Sequence, residues 1–414
     1  MTGDNVLSRE ERFLKKFSAG AEAETRKIVS ALRTRLDYSR EFDYFIELAE
    51  TCGDAEAVSC RTGRRTVNLL CVQAPVEMVH AAGFQPFRVW SGSSAASRFS
   101  LAAAPALMCP MLKALLGSLR ANEGARDGNW IIPTTCDWVI KFPEMASYEC
   151  PSFLPRVFWL ELPHLKDGPN GGEKWLDEIY RFKKYLESMG EKIDRHSIAE
   201  SIELYREAWS ALTKISRMRG CGLLANVWFA LIAGTMFLDD VRKWTAAVLN
   251  VAASSTAAYR NNARVFLAGS PIVFPNFKLH LLLEETGMSV VADDLCSSER
   301  IIPGAAAFED TSEFGLMSAL AERYHRACLC PTFIDNDRRV NNILGQRAET
   351  NFSGVVFHVL KGCHPYDIEG MGLERTIKDR GLRFIRIETD YMPEDERNLS
   401  SRLEAYRCTL PTPQ

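Results

Sequence analysis

The chain has 414 residues, and its 50 basic and 53 acidic side chains give a formal charge of −3. This length predicts two or three domains, and a hydrophobic share of 46% is enough for a large buried core. The near balance of charge creates no field that attracts nucleic acid or an anionic membrane surface. The sequence has no apolar run of about 20 residues and begins with polar residues, so we expect no membrane span, no secretory signal and a cytoplasmic location.

The spacing of apolar residues predicts an α/β protein with parallel sheets. Residues 1–62 are expected to form a helical N-terminal segment. Residues 63–170 are expected to form a first α/β domain, with strands at 66–72, 87–90, 130–132 and 157–160 and helices at 76–82 and 111–120. Strands that alternate with helices are typical of a parallel sheet.

The remaining chain divides into a helical insertion and a second α/β domain. Residues 171–262 keep apolar side chains at three- and four-residue spacing and contain no proline, which favours helices. Residues 263–414 are expected to form the second α/β domain, with strands at 264–268, 288–292, 354–359 and 383–388 and helices at 278–285, 314–328, 367–380 and 396–408.

Motifs of several common enzyme classes are absent from the sequence. It contains no phosphate-binding G-x-x-x-x-G-K-S/T loop and no G-x-G-x-x-G dinucleotide fingerprint. The G-x-S-x-G and H-E-x-x-H motifs are missing too, which argues against a serine hydrolase and a zinc peptidase. No C-x-x-C pair occurs, so a zinc ribbon is not expected.

The twelve cysteines are the unusual feature of the composition. A chain of this length without an export signal does not need disulfides, so each thiol is expected to be a packed apolar group, a nucleophile or a soft-metal ligand. Six of them follow a predicted strand or stand at a helix end, namely Cys109, Cys136, Cys296, Cys328, Cys330 and Cys363. The other six lack such a context and are expected to be packed thiols, namely Cys52, Cys60, Cys71, Cys150, Cys221 and Cys408.

The six cysteines that follow a predicted strand or stand at a helix end are candidates for a shared metal site. Ligands of open α/β sheets bind beyond the carboxyl ends of the strands, where loops distant in sequence converge. Thiolates that converge in such a cleft favour zinc or iron–sulfur clusters. Helix amino termini at Cys109 and Cys136 are expected to lower the pKa of both thiols. For each cysteine, a thiol packed into the core is the alternative.

Charged and imidazole side chains near these cysteines are further candidates. Glu77 follows a strand and opens a helix, where it can either transfer protons or interact with the helix dipole. His364 can donate to a cluster sulfur or shuttle protons beside Cys363, with an ordinary loop histidine as the alternative. Arg338 and Arg339 are expected on a solvated helix start, although they can also meet a partner protein or phosphate groups.

Six separated segments carry a resemblance to a known family. They are PVEMVHAAGFQPFRVW, MCPMLKALLG, IPTTCDW, VADDLC, CLCPTFIDNDRRVNNIL and the C-terminal segment that begins GVVFHVLKGCHPYD. In this order they resemble the 2-hydroxyacyl-CoA dehydratase and benzoyl-CoA reductase family. The resemblance begins near Thr66, weakens in the helical insertion and does not include the first 60 residues.

The resemblance implies two Rossmann-like domains with an iron–sulfur cluster between them and dimeric assembly. It also implies that electrons come from a separate ATP-hydrolysing activator that carries its own cluster. The family's cluster ligands fall on Cys109, Cys136 and Cys363. In relatives of this family a glutamate in a similar context acts in proton transfer at the substrate. The resemblance therefore implies this role for Glu77.

One branch of the family carries a second cubane joined to the first by a sulfide. The C-x-C-P element, together with the cysteine of VADDLC, is similar to that branch, which implies additional ligands at Cys296, Cys328 and Cys330. A further cysteine that is frequent in the branch has no counterpart in ANEGARDGNW.

The sequence therefore predicts an oxygen-sensitive iron–sulfur reductase component that acts on a small substrate and assembles as a homodimer. Its cofactor is expected to be a 4Fe–4S cubane or an 8Fe–9S double cubane. One alternative is a subunit of a heterodimeric 2-hydroxyacyl-CoA dehydratase or benzoyl-CoA reductase, which acts on an acyl-CoA through a ketyl radical. Another is a non-catalytic metal-binding protein.

Overall fold

The computed structural model describes residues 9–121, 128–151, 153, 155–168, 170–254, 262–302, 306–334 and 337–411. In this part of the chain, sixteen α-helices accompany eight strands, which form two four-stranded parallel sheets. No described helix is long and apolar enough to cross a membrane.

Three helices and the first sheet make up the N-terminal part of the chain. The helices are α1 (Arg9–Arg33), α2 (Asp43–Glu50) and α3 (Ala55–Thr62), with a 3-10 turn at Arg40–Phe42. The sheet has the order β2-β1-β3-β4, and its strands are β1 (Thr66–Leu69), β2 (Gln85–Arg88), β3 (Asn129–Pro133) and β4 (Arg156–Leu160). The helices between these strands are α4 (Val76–Ala81), α5 (Ser94–Phe99), α6 (Pro110–Arg120) and α7 (Asp137–Glu149).

Four helices separate the two sheets along the chain. They are α8 (Gly171–Glu187), α9 (Arg195–Gly220), α10 (Asn226–Gly234) and α11 (Val241–Ser254). Asp194 fixes the start of α9, because its Oδ1 accepts hydrogen bonds from the amides of His196 at 2.9 Å and Ser197 at 2.8 Å. Residues 226–233 of α10 are all buried, as expected of a helix that is apolar on every side.

The second sheet has the order β6-β5-β7-β8. Its strands are β5 (Ala263–Gly269), β6 (Met288–Asp293), β7 (Gly354–Leu360) and β8 (Arg383–Thr389). Its helices are α12 (Lys278–Glu285), α13 (Glu313–Ala321), α14 (Asp337–Thr350), α15 (His364–Asp379) and α16 (Glu396–Thr409). Two 3-10 turns lie at Glu299–Ile301 and Pro393–Asp395, and a π-helical turn follows α13 at Glu322–Arg326. Every residue of β7 is buried, as expected of a parallel strand covered on both faces.

The predicted fold class is confirmed, and the eight predicted strands all have counterparts. Many bounds differ from the prediction by one residue, and α15 begins at His364 instead of residue 367. β1 ends at Leu69 instead of residue 72, β2 covers Gln85–Arg88 instead of 87–90, and the helix predicted at 314–328 gives way to the π-helical turn after Ala321. The four-part domain division stays a prediction.

Candidate functional site

Thiols from both sheets stand at the carboxyl ends of strands. Cys71 follows β1, Cys136 follows β3, Cys296 follows β6 and Cys363 follows β7. Because parallel strands direct their following loops to one edge of a sheet, this edge is where an α/β protein builds its binding site. Every cysteine of the chain is a free thiol.

Cys109, Cys136 and Cys363 form what we call the first thiol group. After burial, the charge of Cys136 is among the causes that raise the pKa of Cys109, and both thiols raise the pKa of Cys363. The three thiols therefore lie within electrostatic reach of one another, although they are far apart in sequence. A hydrogen bond from Ser270, in the loop after β5, acts in the opposite direction on the pKa of Cys363.

Each cysteine of the first thiol group immediately precedes a helix. Cys109 is the N-cap of α6, Cys136 that of α7 and Cys363 that of α15. Burial raises the pKa of Cys109 to about 12 and raises that of the other two thiols, while amides of the helix starts lower all three. The expected lowering by the helix starts is present at Cys109 and Cys136, but burial outweighs it, so the pKa of both thiols is raised.

A glycine brings two of these loops together. Gly362 has a φ of +78°, and a Cβ at this position would lie 2.1 Å from the carbonyl oxygen of Leu107. Only glycine permits both the left-handed backbone and this close approach. The loop that carries Cys363 is thereby held against the segment that precedes Cys109.

Cys71, Cys296, Cys328 and Cys330 form what we call the second thiol group. Burial and the charges of the other three thiols raise the pKa of Cys71 well above its usual range. Burial and the neighbouring Cys328 raise the pKa of Cys330 to about 12. Cys328 and Cys330 come shortly after the π-helical turn, a distortion that often accompanies functional sites.

Polar side chains surround the second thiol group. Gln73 Nε2 donates a hydrogen bond to Cys328 Sγ at 2.8 Å, and the hydroxyl of Tyr366 points to Cys296 Sγ at 4.0 Å. Arg300 Nη1 donates to the Tyr366 hydroxyl at 2.5 Å. Because the Tyr366 amide, in the first turn of α15, also lowers the pKa of a first-group thiol, this tyrosine joins the two thiol groups.

Buried ion pairs hold the loop that follows β6. Asp294 accepts a hydrogen bond from Arg339 Nε and lies 3.3 Å from Arg300 Nη2, and Arg339 also contacts Glu369. Arg339 is 1% exposed, so the expectation of a solvated side chain is wrong for this residue. Its neighbour Arg338 is exposed, as expected.

Glu77 is buried beside the π-helical turn, and His364 is not buried. Glu77 is 1% exposed, its Oε2 accepts a hydrogen bond from the Tyr324 hydroxyl at 2.7 Å, and its Oε1 lies 3.4 Å from Arg323 Nε. The carboxylate therefore has a cationic partner and a hydroxyl partner. His364 is the exposed first residue of α15.

Sequence reasoning missed Cys71 and Tyr366. The predicted strand at 66–72 placed Cys71 inside β1, but the strand ends at Leu69 and the thiol lies in the loop beyond it. The position after a strand, which singled out Cys136, would have identified Cys71 as well. Of the other cysteines expected to be packed, Cys150 is buried, whereas three are exposed, namely Cys60, Cys221 and Cys408.

The thiol groups of the described residues do not match a single-ion metal site. Among the described residues, no three His, Cys, Asp or Glu side chains are arranged to hold one metal ion. Two sulfurs of one tetrahedral zinc site lie about 3.8 Å apart, given the usual zinc–sulfur distance. The thiolates of an iron–sulfur cubane bind different irons and so stand farther apart than this.

The chain matches one family over most of its length. The family model described as 2-hydroxyglutaryl-CoA dehydratase, D-component, covers residues 71–407. The chain belongs to this family. The match begins at Cys71, in the loop after β1, and includes all seven cysteines of the two thiol groups.

Relatives of this D-component family protein are named as enzyme subunits. The protein YjiM of Escherichia coli (strain K12), which carries a provisional dehydratase-subunit name, is 25% identical over 88% of this chain and 96% of its own length. The (R)-phenyllactyl-CoA dehydratase beta subunit of Clostridium sporogenes is 22% identical over 84% of this chain and 93% of its own length. A benzoyl-CoA reductase subunit of Thauera aromatica is 22% identical over 74% of this chain and 80% of its own length.

Proposed function

We propose that the protein is the iron–sulfur component of an anaerobic, cytoplasmic reductase that accepts low-potential electrons from a separate ATP-hydrolysing activator and passes them to a small substrate. One observation carries the proposal. Loops of both sheets bring seven buried or half-buried thiols into two neighbouring groups, in a chain of the D-component family. Soft thiolate ligands of this kind select iron–sulfur clusters.

The first thiol group would hold a 4Fe–4S cubane through Cys109, Cys136 and Cys363. The second thiol group would hold another, and the position of Tyr366 between the groups favours a joined 8Fe–9S double cubane. Such a cluster supplies one-electron transfer when it is bound. Burial of the thiols disfavours additional negative charge, which favours a low reduction potential and explains the need for an energy-driven electron donor.

Glu77 is proposed to take part in proton transfer at this centre. Its Oε2 accepts from the Tyr324 hydroxyl, and Tyr324 lines a cavity that Cys328 also lines. A proton can therefore move between the carboxyl group and the cavity through Tyr324 Oη. Arg323 holds the carboxylate in place beside this hydroxyl. His364 is exposed and is proposed only as a donor near the first thiol group.

Anaerobic iron and sulfide quantification tests the proposal. We expect about eight irons per chain in the wild type and about four in the double variant Cys328→Ala, Cys330→Ala. Cys136→Ala and Cys363→Ala should each lose the cluster of the first thiol group, whereas the exposed Cys221→Ala serves as the matched control and should keep the wild-type count. Equal counts in all variants would contradict the proposal. The purified chain alone should not hydrolyse ATP, because it lacks a phosphate-binding loop.

A second candidate function is a subunit of a heterodimeric 2-hydroxyacyl-CoA dehydratase. The name of one relative favours it, since it is the beta subunit of an acyl-CoA dehydratase, the (R)-phenyllactyl-CoA dehydratase of Clostridium sporogenes. In that case about four irons per chain are expected, unchanged in the Cys328→Ala, Cys330→Ala variant, and turnover of an acyl-CoA requires a second, different subunit. A non-catalytic metal-binding protein would bind iron without turnover when the activator and ATP are supplied.

A further inference from the structure

A cavity of about 30 Å³ lies beside the second thiol group. The residues that line it include Gln73, Arg88, Trp209, Arg300 and Cys328. Since one water molecule needs about 10–15 Å³ of such volume, the cavity accommodates a ligand of about two or three heavy atoms. An acyl-CoA thioester is far larger than this space.

Three residues of the cavity wall carry buried hydrogen-bond donors that have no acceptors among the described residues. The Nε atoms of Arg88 and Arg300 and the Nε1 atom of Trp209 are buried and make no hydrogen bond to the described chain. Gln73 Oε1 also lacks a partner there, but the Nε2 of the same amide already donates to Cys328. A buried donor without an acceptor lowers the stability of the folded protein. The excess of donors over acceptors therefore favours a ligand that accepts hydrogen bonds.

Arg88 is a half-buried cation beside aromatic rings and thiols, and its Nε atom is covered. Its guanidinium lies 4.7 Å from the ring centroids of both Trp90 and Phe237. Burial lowers its pKa to about 10, and the groups that oppose this decrease are the thiols of Cys296 and Cys71 and a tyrosine hydroxyl. A desolvated cation of this kind gains most from an anion placed against it.

We propose that this cavity binds a small anion of about three heavy atoms, held by the guanidinium groups of Arg88 and Arg300. A planar oxyanion matches the fork of N–H donors that a guanidinium presents. The inference rests on the proposed function in one respect, since it makes a small anion the substrate class at the second thiol group. The binding site itself requires only the residues of the cavity wall.

Formate, a planar anion of three heavy atoms, is the probe. Equilibrium dialysis with isotope-labelled formate, at an ionic strength set with sodium gluconate, should give about one site per chain in both the apo and the iron-loaded protein. Arg88→Met keeps the stacked side-chain stem but removes the charge, and it should weaken formate binding about tenfold or more. Arg88→Lys should restore part of the affinity. Arg338→Met, at an exposed arginine outside the cavity, is the matched control and should bind like the wild type.

Two further probes test charge and size. Formamide, which is neutral but has nearly the same shape, and benzoate, which is anionic but too large, should not compete with formate. Competition by formamide, or an unchanged affinity in Arg88→Met, would overturn the anion site. If Arg88→Met instead loses iron at unchanged formate affinity, the arginine is a counter-ion of the cluster and the inference is wrong.

Iron content separates this inference from the proposed function. A wild-type protein that carries iron but binds no formate leaves the proposed function intact and refutes the anion site. A protein that binds formate but carries no cluster refutes the proposed function and retains the site.

Discussion

At the scale of single residues, Cys71 adds a fourth thiol to the second thiol group. We expect Cys71→Ala to reduce the anaerobic iron content, because a half-buried thiol with three thiol neighbours would be able to bind a cluster iron. Iron and sulfide assays against Cys52→Ala provide the measurement and its control, since burial is the dominant cause that raises the pKa of Cys52. A wild-type iron count in Cys71→Ala would mean that Cys71 is a packed thiol and not a ligand.

Two buried histidines make the stability of the protein dependent on pH. Burial lowers the pKa of His280 to about 3 and that of His358 to about 4. His358 Nδ1 donates to the Ser270 carbonyl at 3.0 Å and its Nε2 accepts from the Thr389 hydroxyl at 2.6 Å, so the neutral ring is fully bonded. Between about pH 6.5 and 5 the unfolded histidines bind protons that the folded ones do not. The free energy of unfolding should therefore fall as the pH falls, by about 1.4 kcal/mol per unit for each histidine.

Urea unfolding at several pH values measures this slope. His358→Gln cannot titrate and should flatten the slope by the contribution of one histidine, whatever its own stability. A slope identical to that of the wild type would mean that His358 is protonated in the folded protein.

Two residues show what the sequence could and could not reveal about the site. The position of Cys363 after a strand was evident from the run GVVFHVL, because a continuous apolar segment marks a covered strand. The burial of Arg339 was not evident, because its partners Asp294 and Glu369 lie far away in sequence and only the folded chain brings them together. Local patterns report local structure, whereas ion pairs between distant segments leave no local pattern.

At the scale of elements, three helices begin at the first thiol group. They are α6, α7 and α15, and each N-terminus carries roughly half a positive charge. Together the three N-termini offer about +1.5 charges, which would favour an anion bound at this group. The loop before α15 must follow a defined backbone path to bring Cys363 to the first thiol group.

Gly362→Ala tests that loop. We expect a loss of stability of several kcal/mol and a loss of first-group iron, because a Cβ there meets the Leu107 carbonyl and the φ of +78° is strained for alanine. Thermal unfolding and iron assays provide the two readouts. Gly372→Ala is the control on the adjoining helix. A Cβ there meets nothing within 4 Å, so this change should stabilise α15 by about 0.5–1 kcal/mol. Equal effects of the two substitutions would contradict the role assigned to Gly362.

The strands were predicted more accurately than the turn beside the second thiol group. Alternating and continuous apolar runs located all eight strands to within a few residues. The π-helical turn at Glu322–Arg326 was read as ordinary helix, because the extra residue in a π turn changes backbone hydrogen bonds without changing the apolar pattern. The turn places Tyr324 against Glu77, a contact that residue spacing does not encode.

At the scale of the whole molecule, cluster binding should stabilise the fold. The first thiol group combines two cysteines from the part of the chain around the first sheet with Cys363 from the second. A ligand that binds only the folded state stabilises it in proportion to the logarithm of its affinity, so anaerobic reconstitution with iron and sulfide should raise the melting temperature. Differential scanning calorimetry of the wild type and of Cys363→Ala, each with and without reconstitution, measures the effect. An equal increase in the melting temperature of both proteins would mean that the stabilising metal binds outside the first thiol group.

The matching strand orders of the two sheets have a consequence for how the centre is assembled. In each sheet the third strand along the chain is followed by a cysteine that caps the next helix, Cys136 after β3 and Cys363 after β7. The two positions are therefore equivalent in the topology of the two sheets, whereas Cys109 lies in the connection between β2 and β3. The distance between these two thiols is therefore set by how one half of the molecule sits against the other. Any movement of one half relative to the other would change the spacing of the first thiol group directly, without a change in either loop.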